Sequence, residues 1–132
     1  MNPASRTIAV IALAAATASP SVSCSVFEDR VSLLNCGAIA TATGTRRVRT
    51  GTDCDENLRI EIQDVPRGLY AVLIDGVDRG TIHVKGRREG ELEFDTSPKG
   101  DQLPLDFDPF GHVDIAVRSG PAILSLDQCA AP

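Results

Sequence analysis

The sequence predicts an all-β chain, an antiparallel β-sandwich or small barrel, behind an N-terminal export signal. Three observations predict it. Several segments alternate strictly between apolar and polar residues. Turn-forming residues recur about every ten positions. No stretch after the first two dozen residues shows the periodicity of an amphipathic helix.

The chain begins with a short segment, Met1 to Arg6, carrying one positive charge, and continues through Thr7–Ala18 without a charge. That run is too short to cross a bilayer, which takes about 20 apolar residues. It fits the apolar region of a signal peptide. Pro20 ends any helix there, because it lacks an N–H and clashes with the preceding turn. Small residues permit cleavage before Ser19 or before Cys24. We read residues 1–23 as a signal peptide and 24–132 as one domain, since the remaining 109 residues suffice for one modest core. No later stretch is apolar enough to span a membrane.

Four cysteines, Cys24, Cys36, Cys54 and Cys129, form an even set in a chain bound for an oxidising compartment, so they are read as two disulfides. Three pairings are open. Zinc ligands come in pairs two to four residues apart; no two cysteines here are closer than twelve residues. Ser21-Val22-Ser23-Cys24 resembles a bacterial lipobox, which implies an alternative, a lipoprotein anchored through Cys24. Ser21 stands where that motif has an aliphatic residue, and acylation would strand one thiol.

Within the domain the first third is the least regular. Val31-Ser32-Leu33-Leu34 is a short apolar stretch. Ala38–Thr43 reads as a strand of small residues, and Arg46-Arg47-Val48-Arg49 as an exposed edge strand guarded by charge. Leu58–Gln63 then alternates strictly, with Leu58, Ile60 and Ile62 inward and Arg59, Glu61 and Gln63 outward. Leu69–Ile74 is apolar on both faces, which predicts a central strand covered on each side. Its Tyr70, the only tyrosine, needs a hydroxyl partner if buried, and a structural corner is the role expected for it. Thr81–Lys85, Glu91–Asp95 and His112–Arg118 repeat the alternation, with Leu92, Phe94, Val113, Ile115 and Val117 inward. Ala122–Leu126 is the last strand. The predicted core includes Ile60, Ile62, Leu73, Phe94, Ile115 and Val117.

Turn chemistry separates these strands. Asp64-Val65-Pro66-Arg67-Gly68 links the first pair, Pro setting one φ and Gly permitting a positive one. Asp75-Gly76 between apolar runs is a hairpin signal. Lys85–Gly90 and Thr96–Asp101 are longer charged turns, and Asp108-Pro109-Phe110-Gly111 leads into the His112 strand.

The stretch Asp64–Gly76, a Pro-x-Gly turn, then Tyr70, then an apolar run and a hairpin, resembles a segment of bacterial secreted β-sandwich modules of the transthyretin-like type. The resemblance covers about thirty residues with the hairpin. It implies an extracellular binding or spacer module and carries over no catalytic residue.

Charge and motifs exclude several classes. Thirteen Lys and Arg against eighteen Asp and Glu give a net charge of −5, the wrong sign for a nucleic-acid binder. Apolar residues make up 42% of the chain, too many for a disordered polar tail. There is no Gly-x-Ser-x-Gly and no phosphate-binding glycine loop. His83 and His112 alternate with apolar neighbours and are expected to be solvated. Asp106–Gly111 starts like a calcium loop, but Phe110 and Val117 stand where the pattern needs ligands; a looser site through Asp101, Asp106 and Asp108 is a cation candidate, and a trans-strand His83–His112 pair a more remote one. Glu89, Glu91, Glu93 and Asp95 form an acidic stripe, and Arg46, Arg47 and Arg49 a basic one.

The expected function is a secreted or periplasmic, non-enzymatic β-module for binding, spacing or assembly. No catalytic residue, cofactor or metal is expected, and a protein at the cell envelope is the expected partner. The alternative is a small secreted inhibitor or effector presenting the charged loop Gly86–Gly90. The sequence leaves the oligomeric state open.

Overall fold

The computed structural model describes residues 22–111 and 114–129. Residues 1–21, with the predicted signal peptide and the Ser19 cleavage site, and His112 and Val113 lie outside the described residues. Ten strands follow in order: β1 (Phe27–Ser32), β2 (Leu34–Asn35), β3 (Thr43–Thr50), β4 (Glu56–Gln63), β5 (Gly68–Ile74), β6 (Val77–Val84), β7 (Glu89–Asp95), β8 (Leu103–Pro104), β9 (Ile115–Arg118) and β10 (Ala122–Ser125). They build a sandwich of two five-stranded sheets, β1-β3-β4-β7-β8 and β2-β10-β9-β5-β6. All pairings are antiparallel except β7 with β8. Within the sheets, β4 pairs with β7 and β5 with β9, so strands far apart in the chain are neighbours and the topology is not a simple succession of hairpins.

Alternation sets the core. Leu58, Ile60 and Ile62 of β4 and Leu92 and Phe94 of β7 face Tyr70, Val72 and Ile74 of β5 and Ile115 and Val117 of β9, and all are buried. Phe94 also meets the Phe107 ring edge-on at 5.4 Å between centroids. Leu73 is a correction. It lies on the opposite face of β5 and is half-buried, because Tyr70, Val72 and Ile74 set the inward phase. That opposite face is also not covered as predicted: Leu69 is 63% exposed. An apolar run without polar alternation carries no phase of its own, so periodicity could not choose between the two faces.

The connections differ from a chain of hairpins. Asp75 (φ 51°) and Gly76 (φ 79°) make the predicted β5–β6 hairpin with two positive φ values, the combination that matches strand twist. Asp64–Gly68, in contrast, carries the chain from the first sheet to the second, and residues 85–88 carry it back. The two crossings are joined where Val65 N–H donates to the Arg88 carbonyl at 3.2 Å. Gly90 stands at the return crossing, where a Cβ would sit 2.7 Å from the Ile82 side chain.

Two further expectations are corrected. Ala38–Thr43 is a turn as far as residue 42, and β3 begins only at Thr43. Asn35 holds the turn: its side-chain amide donates to the carbonyls of Ile39, Ala40 and Ala42 at 3.0, 3.2 and 3.0 Å. Arg46–Arg49 is not an edge, because β3 lies between β1 and β4. Arg46 points inward beside Val48, is buried, and is neutralised by a short ion pair with Asp29 of β1.

The cysteines pair as Cys24–Cys54 and Cys36–Cys129, 30 and 93 residues apart. Such bridges persist in oxidising, non-cytoplasmic surroundings. Among the described residues no helix is long and apolar enough to cross a membrane. Tyr70 forms the expected corner, its hydroxyl donating to the Pro66 carbonyl, and burial pushes its ionisation above the usual tyrosine value.

Candidate functional site

The outer face of the first sheet carries charge in register across four strands. One row reads Glu28, Arg49, Asn57, Asp95, and the next Arg30, Arg47, Arg59, Glu93. The β3 side is therefore basic and the β7 side acidic, with β4 mixed between them. Opposite charges on neighbouring strands attract across the pleat. Arg59 forms a close ion pair with Glu91 and a longer one of 3.9 Å with Glu61.

A groove of about 650 Å³ crosses this face over Arg47, Arg49, Asn57, Glu93, Asp95 and Gln102. Asn57 is its hub. Its amide donates to Glu93 at 2.8 Å and to Asp95 at 3.0 Å, while its oxygen accepts from Arg47 at 3.4 Å. Gln102 donates to the same Glu93 oxygen at 3.1 Å. A neutral amide between the basic and acidic walls satisfies both without cancelling either. Sequence reasoning missed Asn57 and Gln102, because hydrogen-bonding residues without charge leave no periodic or compositional mark.

Two turns close one end of the groove. The turn at residues 51–55 is held by Gly51 N–H to the Asp55 carbonyl, 2.9 Å, and Cys54 N–H to the Gly51 carbonyl, 3.0 Å. Cys54 adopts φ 68°, and its disulfide to Cys24 fixes this turn to the start of the domain. Asp55 then accepts from the Thr96 and Ser97 hydroxyls at 3.1 and 3.0 Å, lacing the first turn to the second at residues 96–102. At the other margin Arg30 donates to Glu28 at 2.7 Å and holds its carboxyl below the ordinary glutamate value.

The groove's carboxylates are spent on protein donors. Among the described residues no three of His, Cys, Asp and Glu are grouped to hold a metal ion. The predicted cation candidates are likewise separate. Asp106 pairs with Arg79 at 3.2 Å, and that guanidinium lies over the Phe107 ring at 5.0 Å. Asp108 accepts from Phe110 N–H at 2.9 Å, and Asp101 lies exposed in the turn before β8. His83 is exposed on the outer face of β6, opposite Leu69, on the sheet away from the groove. Gly86–Gly90 is a short connection tied down through Arg88, with Gly90 already inside β7. Cys24 pairs with Cys54, and the acylation that the lipobox resemblance implied would leave Cys54 without that partner.

These features define a small, disulfide-stapled β-sandwich with one polar, charge-divided concave face. No protein-family model matches the chain, and no curated protein shows significant similarity to it.

Proposed function

We propose that this chain is an exported, non-enzymatic binding module that takes a polar, charge-bearing segment of an envelope or extracellular protein into the groove of its first sheet. The observation that carries this reading is the Arg47–Asn57–Glu93 floor, a basic wall and an acidic wall held apart by one amide in a preformed concavity. Specific sites place a few polar groups on a rigid scaffold, because a preordered surface loses less entropy on binding. Export is supported by the charged start, the apolar run and the small residues before Ser19 and Cys24, and by the two disulfides. The transthyretin-like resemblance at residues 64–76 points to the same kind of role.

A photo-crosslinking residue placed in living cells tests the reading. Thr52 and Lys99 on the groove margin should each give discrete protein adducts, and Leu69 and Thr81 on the second sheet should give none. Equal patterns from both faces, or no adduct at Thr52 and Lys99, would reject it.

A further inference from the structure

We infer that β1 is a self-recognition edge, on which a second copy of this chain adds antiparallel to form one continuous sheet about a two-fold axis at Asp29. The inference stands apart from the groove reading and rests on the four edges of the sandwich. Exposed edges template unwanted pairing and are normally blunted. Here β8 is two residues long and ends in Pro104, which has no N–H, and β2 is also two residues long. The β6 edge is broken by a register shift against β5 at Val72/Leu73. The β1 edge is neither short, bulged nor interrupted by proline: its six residues pair with β3 without a break from Phe27↔Thr50 to Ser32↔Thr45, and the only guard it carries is charge, at Glu28, Asp29 and Arg30.

Backbone phase decides what that edge offers. Leu33 N–H donates to the Gly44 carbonyl at 2.9 Å, one step beyond Ser32↔Thr45. In an antiparallel ladder, bonding residues alternate, so Phe27, Asp29 and Val31 bond towards β3. Glu28, Arg30 and Ser32 therefore turn their N–H and C=O groups to the open side.

The side chains select one register. A two-fold axis perpendicular to the sheet sets residues of the same face opposite each other. Centred on Glu28 or on Arg30, it opposes like charges. Centred on Asp29, it sets Glu28 against Arg30 of the second copy, twice. It also sets Phe27, 50% exposed, against Val31 of the second copy, which is 36% exposed. Each Asp29 at the axis brings its own Arg46 partner, so two ion pairs meet there rather than two bare carboxylates. Both grooves would then lie on the same side of a ten-stranded sheet.

Sedimentation of the oxidised chain over a concentration series tests this. The wild type should pass from monomer to dimer. Arg30→Glu sets acidic residues against each other on both sides of the axis and should weaken the dimer roughly tenfold or more. Glu28→Arg combined with Arg30→Glu exchanges the charges and should restore the wild-type dimer. Both positions are exposed, and unchanged thermal melting checks that each variant is folded. A wild type that stays monomeric at millimolar concentration overturns the inference and leaves Glu28 and Arg30 as a charge guard. A dimer indifferent to Arg30→Glu, or not rescued by the exchange, also overturns it.

Discussion

Ile60 of the first sheet and Val72 of the second occupy the same environment, fully buried between the layers. One residue to either side, the two sheets part company. Around Ile60, β4 turns Arg59 and Glu61 outward into a ladder of ion pairs. Around Val72, β5 turns out Ala71 and Leu73, which make no such network. The inner faces are governed by burial alone, which any apolar side chain of suitable volume satisfies. The outer faces have no such common demand. The outer face of the first sheet is therefore charged and laced by ion pairs, and that of the second is plain, which is why the proposed groove reading places recognition on the first sheet.

The largest expected effect separates the two staples. Cys36–Cys129 closes the longer loop and ties down the second sheet, whereas Cys24–Cys54 closes the turn at the groove. In the chain-entropy picture their removal costs about 4.5 and about 3.5 kcal/mol, respectively. Urea unfolding of the Cys36→Ser/Cys129→Ser and Cys24→Ser/Cys54→Ser pairs should show that order. A reversed order would mean that the groove turn, not loop length, sets the contribution.

The equivalence of the inner faces comes next. Ile60→Ala and Ile115→Ala each remove a fully buried side chain, from opposite sheets, and should each cost about 2–5 kcal/mol. Leu73→Ala, on the outer face, should cost clearly less. Equal losses at Leu73 and Ile115 would mean that the second sheet has a covered outer face after all.

Tyr70→Phe should cost about 1 kcal/mol through the lost bond to the Pro66 carbonyl. Because burial raises its folded-state ionisation, the neutral hydroxyl favours the fold at and below the usual value near 10. That advantage fades as pH rises through the raised value. Ultraviolet titration of this single tyrosine should therefore show a midpoint above that of a model peptide, with stability falling on the alkaline side.

The outer ladder sharpens the comparison at smaller scale. Arg59→Ala should cost only about 0.2–1 kcal/mol, less at high salt, because its pairs are solvent-accessible. A larger, salt-independent loss would mean that the ladder organises the sheet rather than decorating it. Smallest of all is Glu28, whose carboxyl should titrate by NMR below the ordinary glutamate value. Arg30→Gln should return it upward. The Glu28 carboxylate favours the fold above the unfolded-state value, and that contribution is lost as pH falls through the lowered one.

The strands that alternate strictly were legible because water on one face and core on the other write period two into the residues. Leu58–Gln63 and Glu91–Asp95 are the clearest cases. Leu73 was assigned to the wrong face because its strand is apolar on both. The arginines of β3 looked like a guarded edge because a sequence cannot show that Asp29 waits across the ladder to neutralise Arg46. The acidic and basic stripes of the groove were legible as charge runs, but not their opposition across β4. Neither Asn57 nor Gln102 could be recognised before the chain was folded.

By itself, then, the sequence determined the class of the fold, most of its inward-facing residues, the β5–β6 hairpin and the even set of cysteines. Each of these follows from local chemistry: side-chain period, backbone φ and thiol count. Tertiary structure alone decided which cysteines pair, which strands lie at the edges, and that Arg47, Asn57 and Glu93 meet. Those outcomes depend on strand order and register, which bring together residues ten to ninety-three positions apart. No local pattern encodes such distances.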